Sequence, residues 1–133
     1  MILNANPFTL GHQYLVETAA ARCCLLHVFV VFEDASLVPF AVRKKLVMEG
    51  CSHLSNLVFH ETGSYMSSSA TFPSYFLKDA ETVIRSHAML DIEIFLKIAG
   101  ALSISRRFVG EEPFSQVTGI YNRVMEKELA ACG

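Results

Sequence analysis

Residues 25–32 constrain the fold more than any other stretch of the chain. They read Leu-Leu-His-Val-Phe-Val-Val-Phe, an apolar run interrupted only by His27. A strand with one face in water would alternate between apolar and polar residues, so this run indicates a strand covered on both faces. Such strands occur in parallel sheets, whose strands are joined by crossover helices. We therefore expect an α/β domain, with His27 as a hydrogen-bonded histidine of the core or sheet edge rather than a ligand.

The remaining apolar patterns alternate between strand and helix. Short apolar runs predict strands at residues 1–3, 56–60 and 107–109, and helical spacing predicts helices at residues 11–22, 39–50, 79–102 and 114–131. The second helix should direct Leu46 and Val47 inward, and the third should be irregular near Leu90 and Asp91. Right-handed crossovers would place the polar residues after each strand at one edge of the sheet, where α/β domains bind ligands.

The turn between the first strand and the first helix has the composition of an anion site. Its sequence is Asn-Pro-Phe-Thr-Leu-Gly-His, residues 6–12. Thr9 can cap the helix, whose free N–H groups carry roughly half a positive charge. Gly11 has no Cβ to keep a phosphate away from the main chain, and His12 can donate a hydrogen bond to it. A capped turn with a solvated histidine explains the same letters, so these three residues alone leave both interpretations open.

Charge and composition exclude several classes of protein. A length of 133 residues, 52% hydrophobic content and a net charge of −2 suit one compact cytoplasmic domain with its own core. The balance of 11 Lys+Arg against 13 Asp+Glu leaves no basic stripe for nucleic acid. No apolar run approaches the roughly 20 residues of a membrane span, and no leader segment is recognisable. The four cysteines lack metal-ligand spacing, so we expect reduced, mostly buried thiols and no metal site.

Residues 61–76 combine small hydroxyl side chains with aromatic rings. We interpret this segment as a loop over the site, which would give hydroxyl and main-chain donors to a small polar substrate and rings to close around it. A purely structural loop is the alternative.

Two segments resemble the nucleotidylyltransferase superfamily. Residues 6–12 match its strand-1 signature, [Asp/Asn]-Pro-x-[His/Thr]-x-Gly-His, and residues 40–47 resemble the F-x-x-R-x-x-L-V segment after strand 2. The resemblance implies a Rossmann-like fold of the HxGH type, with a parallel sheet, helices on both faces and ATP at the first turn. It assigns Thr9 and His12 to the charge that develops on the α-phosphate, and Asn6, Gly11 and Arg43 to the nucleotide. Transfer at phosphorus needs such fixed donors.

Longer stretches resemble the C-terminal domain of the citrate lyase ligase family. They are residues 1–17, 65–78, 91–95 and 107–114, of which A-T-F-P and R-F-V-G-x-E-P-F are specific to this family. The resemblance implies an enzyme that uses ATP to activate acetate as acetyl-adenylate, with release of pyrophosphate. Acetyl then passes to the prosthetic-group thiol of the acyl carrier subunit of citrate lyase. Mg²⁺ is implied by the polyphosphate, whose charge it offsets.

The same resemblance suggests further site residues. By position, we assign the acyl or thiol side of the site to Ser67, Ser68, Ser69 and Thr71. Glu112 and Asn122 are candidates for contact with the adenosine.

The chain departs from the family in two respects. Family members carry an acetyltransferase-like domain ahead of this one, and the superfamily's second phosphate motif, I-S-x-S-x-x-R, lies beyond the last strand. Residues 103–107 have similar letters but precede the fourth predicted strand. We therefore expect residues 1–133 to be a single domain and a fragment without these parts, and an inactive fragment is one of the outcomes left open. Two alternatives stay open: an adenylyltransferase for a pantetheine phosphate or nicotinamide nucleotide, and a non-catalytic nucleotide-binding domain.

Overall fold

The structure is a computed structural model, which describes residues 1–5, 7–31, 38–62, 81–110 and 116–131. These residues divide between two compact units, Met1–Gly63 with Arg107–Val109 and Ser64–Arg106 with Gly110–Gly133. In chain order the elements are β1 (Ile2–Leu3), α1 (Leu10–Ala20), β2 (Leu26–Val30), α2 (Phe40–Gly50), β3 (Leu57–Glu61), α3 (Glu81–Ala101) and α4 (Gln116–Ala131). The predicted α/β fold is confirmed.

The first unit contains a parallel sheet, which in the described residues has three strands in the order β1-β2-β3. Ile2 of β1 is opposite Phe29 of β2, and Leu26 of β2 is opposite Leu57 of β3. The apolar run that predicted a strand between two neighbours is therefore the middle strand, β2. Its carboxyl end and that of β1 lie side by side because parallel strands run in the same direction.

Helices α1 and α2 cover the same face of this sheet. Alternate residues of β2, which share one face of a strand, belong to one apolar cluster with residues of both helices. The buried members from these three elements are Leu26, Val28, Val30, Val16, Ala19, Ala20, Phe40 and Val47. This core is the scaffold on which the turn before α1 lies.

The buried face of α2 differs from the prediction. Leu46 is 39% exposed, whereas Arg43 is fully buried between Phe40 and Val47. These three buried residues follow a spacing of three and four, which is one face of a helix, and Leu46 lies beside that face. The prediction that Leu46 points inward is therefore wrong, because a charged residue occupies the position that apolar periodicity would fill.

Two histidines form a pair on adjacent strands of the first unit. His27 Nδ1 lies 2.8 Å from His60 Nε2, and the His60 ring stacks on Phe29 with centroids 4.7 Å apart. The prediction that His27 is a hydrogen-bonded histidine is confirmed. Burial, with the neighbouring His27, lowers the pKa of His60.

The second unit contains the pair of helices α3 and α4. Their buried apolar cluster consists of Ile84, Ala88, Ile92, Ile120, Tyr121, Val124 and Met125. The predicted irregularity near Leu90 and Asp91 is absent, since α3 is continuous through both. Asp91 is fully buried and accepts a hydrogen bond of 2.7 Å from the Tyr121 hydroxyl, so its polar side chain is accommodated without a break in the helix.

Helix α3 ends in a left-handed residue. Ser103 has φ 57°, and the Ile104 N–H donates to the Ala99 carbonyl over 2.8 Å, the arrangement of a Schellman motif.

The fourth predicted strand is not formed: residues 104–110 are neither helix nor strand. Phe108 packs against the first unit's apolar cluster, but Val109 is 45% exposed, so this segment lacks the two-sided burial of β2. Of the described cysteines, Cys51 is buried, Cys23 half-buried and Cys24 exposed, and all three are free thiols. Across the ranges that the structure describes, no helix has the length and apolarity to cross a membrane.

Candidate functional site

The first turn of α1 lies on the stretch of chain that follows the end of β1, at the edge of the sheet where α/β domains bind ligands. Thr9 is the N-cap, and the first main-chain bond of the helix runs from the Gln13 N–H to the Thr9 carbonyl over 3.0 Å. The N–H groups of Leu10 and Gly11 precede this bond and point out of the helix end, where the macrodipole is positive. This first turn contains no acidic residue. It therefore offers two main-chain donors to an anion.

Thr9 and His12 bind each other in a reciprocal cap. The Thr9 main-chain N–H donates to His12 Nδ1 over 3.0 Å, and the His12 N–H donates to Thr9 Oγ1 over 3.4 Å. In this capping box the imidazole takes the place that glutamate or glutamine usually holds. The helix cap therefore also fixes one edge of the His12 ring.

This cap determines the tautomer of His12. Because a main-chain N–H can only donate, Nδ1 must accept, and the proton of the neutral ring is on Nε2. Burial lowers the pKa of His12. Protonation would also place a hydrogen on Nδ1, directly against the Thr9 N–H. At neutral pH the half-buried ring is thus a neutral donor through Nε2–H, which is suited to an anionic oxygen.

The Thr9 hydroxyl is occupied by the same cap. Thr9 Oγ1 lies 2.8 Å from His12 Nδ1 and accepts from the His12 N–H. With Nδ1 as the acceptor, its one lone pair is shared by the Thr9 N–H and the Thr9 hydroxyl. In this arrangement Thr9 holds His12 in place, and its predicted direct contact with an α-phosphate stays a prediction.

Gly11 is exposed, and the protein itself leaves room for a side chain there. A Cβ on Gly11 would meet Thr9 Oγ1 at 3.6 Å, which is an ordinary van der Waals contact. The surrounding fold would therefore accept alanine at this position. What the missing side chain permits is close approach from outside the protein to the N–H groups of the first turn.

Arg43 ties together the ends of two strands. Its Nη1 donates to the main-chain carbonyls of Asn4, over 2.9 Å, and Val31, over 2.8 Å, and its Nε donates to that of Val38 over 2.9 Å. The guanidinium also lies over the Phe40 ring, 5.7 Å from its centroid. These contacts hold the exits of β1 and β2 and the entry to α2. The predicted contact of Arg43 with the nucleotide stays a prediction.

The turn after β1 contains a strained residue. Ala5 has φ 49°, in the left-handed region that side chains rarely adopt, and it is 2% exposed. It directly follows Asn4, which Arg43 holds through both its carbonyl and its Oδ1, the latter over 3.2 Å. Non-glycine residues in such conformations cluster at functional sites.

The other predicted site residues are distributed as follows. Asn122 lies on α4 in the second unit, where its Nδ2 donates to the Gly110 carbonyl over 3.4 Å. The structure brings Thr9, Gly11 and His12 together in one helical turn. The remaining candidates lie outside the described residues: Asn6, Ser67, Ser68, Ser69, Thr71 and Glu112.

Two residues at this site were missed by sequence reasoning. The Phe8 ring stacks on the His12 imidazole, with centroids 5.9 Å apart and an angle of 20° between the planes. Gly50, which we interpreted only as the end of a helix, lies against Phe8 so closely that a Cβ would overlap the ring. The sequence contained one indication of Phe8's role. Phe8 is an aromatic residue within a polar turn, so its ring needs an apolar surface elsewhere in the fold to pack against.

A parallel α/β sheet whose first helix presents a capped, glycine-containing N-terminus is consistent with a nucleotidylyltransferase-like domain. The family model of the citrate lyase ligase C-terminal domain matches residues 1–132, and the chain belongs to this family. No solved structure matches the chain.

Three curated relatives are each named [citrate [pro-3S]-lyase] ligase. The protein from Klebsiella pneumoniae is 45% identical over 134 residues, which cover 100% of this chain and 39% of the relative. The relatives from Escherichia coli (strain K12) and Haemophilus influenzae (strain ATCC 51907 / DSM 11121 / KW20 / Rd) are 44% and 47% identical over 126 residues, covering 94% of this chain and 36% and 38% of their own lengths. The chain thus spans less than two fifths of each relative.

Proposed function

We propose that residues 1–133 form the ATP-dependent activating domain of a citrate lyase ligase. In this proposal the domain converts acetate and ATP into acetyl-adenylate and pyrophosphate, and acetyl is then transferred to the prosthetic-group thiol of the citrate lyase acyl carrier protein. Membership in the family and the names of the relatives support it. The observation that carries it is the His12 Nε2–H donor beside two outward main-chain N–H groups at the start of α1.

The proposed first step is an attack at phosphorus. A carboxylate oxygen of acetate bonds to the α-phosphorus, the bond from that phosphorus to the bridging oxygen breaks, and its electron pair leaves with pyrophosphate. Negative charge grows on the non-bridging oxygens, to which the N–H groups of Leu10 and Gly11 and His12 Nε2 would donate. In the second step the thiol sulfur attacks the acyl carbon and AMP leaves. Preorganised donors of this kind lower the barrier because they need no reorientation.

The donors at the start of α1 suit a phosphate and not a cation, because N–H groups cannot ligate Mg²⁺. Mg²⁺ prefers oxygen ligands and is commonly held by substrate phosphates and water. We therefore assign the ion to the polyphosphate of bound ATP, where it would offset the charge of the leaving pyrophosphate.

The remaining assignments of the proposal follow the family. Asn6 and Arg43 would border the nucleotide, Glu112 and Asn122 the adenosine, and Ser67, Ser68, Ser69 and Thr71 the acyl or thiol side.

Acetate-dependent exchange of pyrophosphate into ATP tests the proposal. We expect exchange in the wild-type chain and at least a tenfold loss in His12→Ala, which corresponds to about 1.4 kcal/mol of barrier. His53→Ala is the matched control, because His53 is an exposed histidine whose partner is Glu17 on the surface, 2.9 Å away. A smaller loss in His12→Ala would contradict the role of His12.

Other outcomes separate the alternatives. Pyrophosphate release that needs a phosphorylated acceptor instead of acetate would identify another adenylyltransferase. ATP binding in calorimetry without any pyrophosphate release, in a protein restored to the full length of the family, would identify a non-catalytic nucleotide-binding domain.

Two glycine variants test the approach of phosphate to the main chain. Gly11→Ala adds a Cβ where the protein has room but a ligand would lie, so we expect ATP to bind about tenfold more weakly while the fold is unaffected. Gly100→Ala is the control, since a Cβ there has nothing within 4 Å. Equal ATP affinity in both variants would show that the phosphates do not approach the first turn of α1.

A further inference from the structure

We infer that Phe8 is a positioning residue for His12 and that Gly50 provides the surface against which the Phe8 ring packs. The inference about the ring's position stands on the structure, while its consequence for turnover rests on the proposed function.

Two independent contacts fix the His12 imidazole. The Thr9 N–H holds Nδ1 and so fixes one edge of the ring. The stack on Phe8, with planes 20° apart, fixes the tilt of the ring about that edge. One contact alone would leave a rotation free. Together they determine the direction in which Nε2–H points, which is the property that a preorganised donor needs.

Phe8 in turn lies on a rigid surface. It is half-buried and packs against the apolar cluster beneath α1 and α2. Its ring lies over Gly50, where a Cβ would overlap Cε1. Gly50 is the last residue of α2 and precedes the buried Cys51, whose N–H donates to the Val47 carbonyl over 3.1 Å. The end of α2 therefore supports the aromatic ring, and the ring supports the imidazole.

The same chain of contacts explains the glycine at the end of α2. Gly50 has no left-handed backbone, and neither does Cys51, the C-cap of α2, whose φ is −110°. Its role is instead the absence of a side chain, which lets an aromatic ring from the turn before α1 approach the helix. A residue at one helix end thus controls the orientation of a side chain at the start of another.

Nitrogen-detected NMR of the histidine rings in the full chain tests this inference without any substrate. In the wild type we expect His12 to show one tautomer, with the proton on Nε2. In Phe8→Leu and Gly50→Ala we expect the tautomer to stay, because the Thr9 N–H still holds Nδ1. The His12 ring signals should shift and the His12 titration should move toward the ordinary histidine pKa, because the ring loses its aromatic cover. Phe8→Tyr, which keeps the ring, and Gly100→Ala, which adds a Cβ in open space, should leave the His12 signals unchanged.

A double-mutant cycle tests whether Gly50 acts through Phe8. Phe8→Ala removes the ring that a Cβ on Gly50 would meet, so Gly50→Ala should change the His12 signals strongly in the wild-type background and hardly at all in Phe8→Ala. Equal effects in both backgrounds would overturn the role of Gly50. Unchanged His12 signals in folded Phe8→Leu would overturn the role of Phe8.

Exchange kinetics separate this inference from the proposed function. We expect Phe8→Leu to lower kcat about tenfold with a change in the KM for ATP of less than about threefold, because misdirection of the donor affects the transition state most. Phe8→Tyr should restore the rate. If the NMR signals change but exchange does not, Phe8 positions His12 and the catalytic role of His12 is wrong.

Discussion

Among the residues that the structure describes, each unit buries one side chain that is normally charged, but the two side chains are satisfied differently. In the first unit, Arg43 donates to main-chain carbonyls of three separate segments. In the second, Asp91 accepts a hydrogen bond from the Tyr121 hydroxyl on the neighbouring helix. The main-chain hydrogen bonds of Arg43 fix the course of the backbone. The hydrogen bond between Asp91 and Tyr121 fixes the packing of two helices.

The difference indicates where each unit is sensitive. The carbonyls that Arg43 binds belong to the residues after β1 and β2, so its loss should disturb the turn that leads to α1. The Asp91 pair lies within the helix pair of the second unit, so its loss should lower stability and leave the turn alone.

The largest expected effect comes from Arg43→Met. Removal of the guanidinium leaves the buried Val31 carbonyl and the half-buried Asn4 and Val38 carbonyls without this donor, and we expect the free energy of unfolding to fall by about 3–5 kcal/mol. Urea unfolding measures it. Arg43→Lys, which keeps the charge but has no planar fork, should lose less. Loss of under about 1 kcal/mol in Arg43→Met would break the comparison, because the strand ends would then be held by other contacts.

A smaller effect is expected from Tyr121→Phe. The variant keeps the ring and removes only the donor to buried Asp91, so unfolding should become easier by about 1.5–3 kcal/mol. The affinity for ATP, measured by calorimetry on the folded protein, should stay at the wild-type value. A weaker ATP affinity in Tyr121→Phe would mean that the Asp91 pair also affects the turn before α1, contrary to the comparison above.

The smallest effect is a dependence of stability on pH in the first unit. The folded pKa values of His12 and His60 lie below the ordinary value of about 6.5. The unfolded chain therefore binds more protons than the folded one between these values, and stability falls as pH decreases below about 6.5. The contribution of these two histidines is fully present above that pH. The buried amino group of Met1, whose pKa is lowered to about 5, adds a further loss of stability as pH falls below about 8.

Amide hydrogen exchange at several pH values, corrected for the intrinsic rate, measures this dependence. Protection in β2 should decrease from pH 7 toward pH 5. His60→Phe, which keeps an aromatic ring against Phe29, should reduce the slope, and His53→Ala should not. A slope that is identical in His60→Phe and the wild type would assign the pH dependence to other groups.

Much of the first unit could be predicted because its signals are local. The unbroken apolar run identified β2 as a strand between two neighbours, and the spacing of Thr9, Gly11 and His12 placed all three in the first turn of α1. A T-x-x-H spacing also matches a capping box. Local sequence could not show that the cap occupies the Thr9 hydroxyl, since this depends on the orientation of the imidazole.

The wrong predictions about Leu46 and Asp91 share a physical cause, which is a partner distant in sequence. Arg43 is buried in place of Leu46 because main-chain carbonyls just after β1 and β2 accept hydrogen bonds from its guanidinium. Helix α3 continues through Asp91 because Tyr121, 30 residues away, satisfies the carboxyl group. Periodicity describes one segment at a time, so neither partner could be found from it.

The left-handed conformation of Ala5 has a consequence for variation at the turn after β1. A methyl group is the smallest side chain that can be held in this conformation, and the residue is almost completely enclosed. Glycine would relieve the strain but increase the number of backbone conformations open to the turn. A β-branched residue would clash with its own backbone in this conformation. Position 5 should therefore tolerate fewer replacements than the apolar positions of the sheet, and homologues with glycine there should have a looser entrance to the first helix.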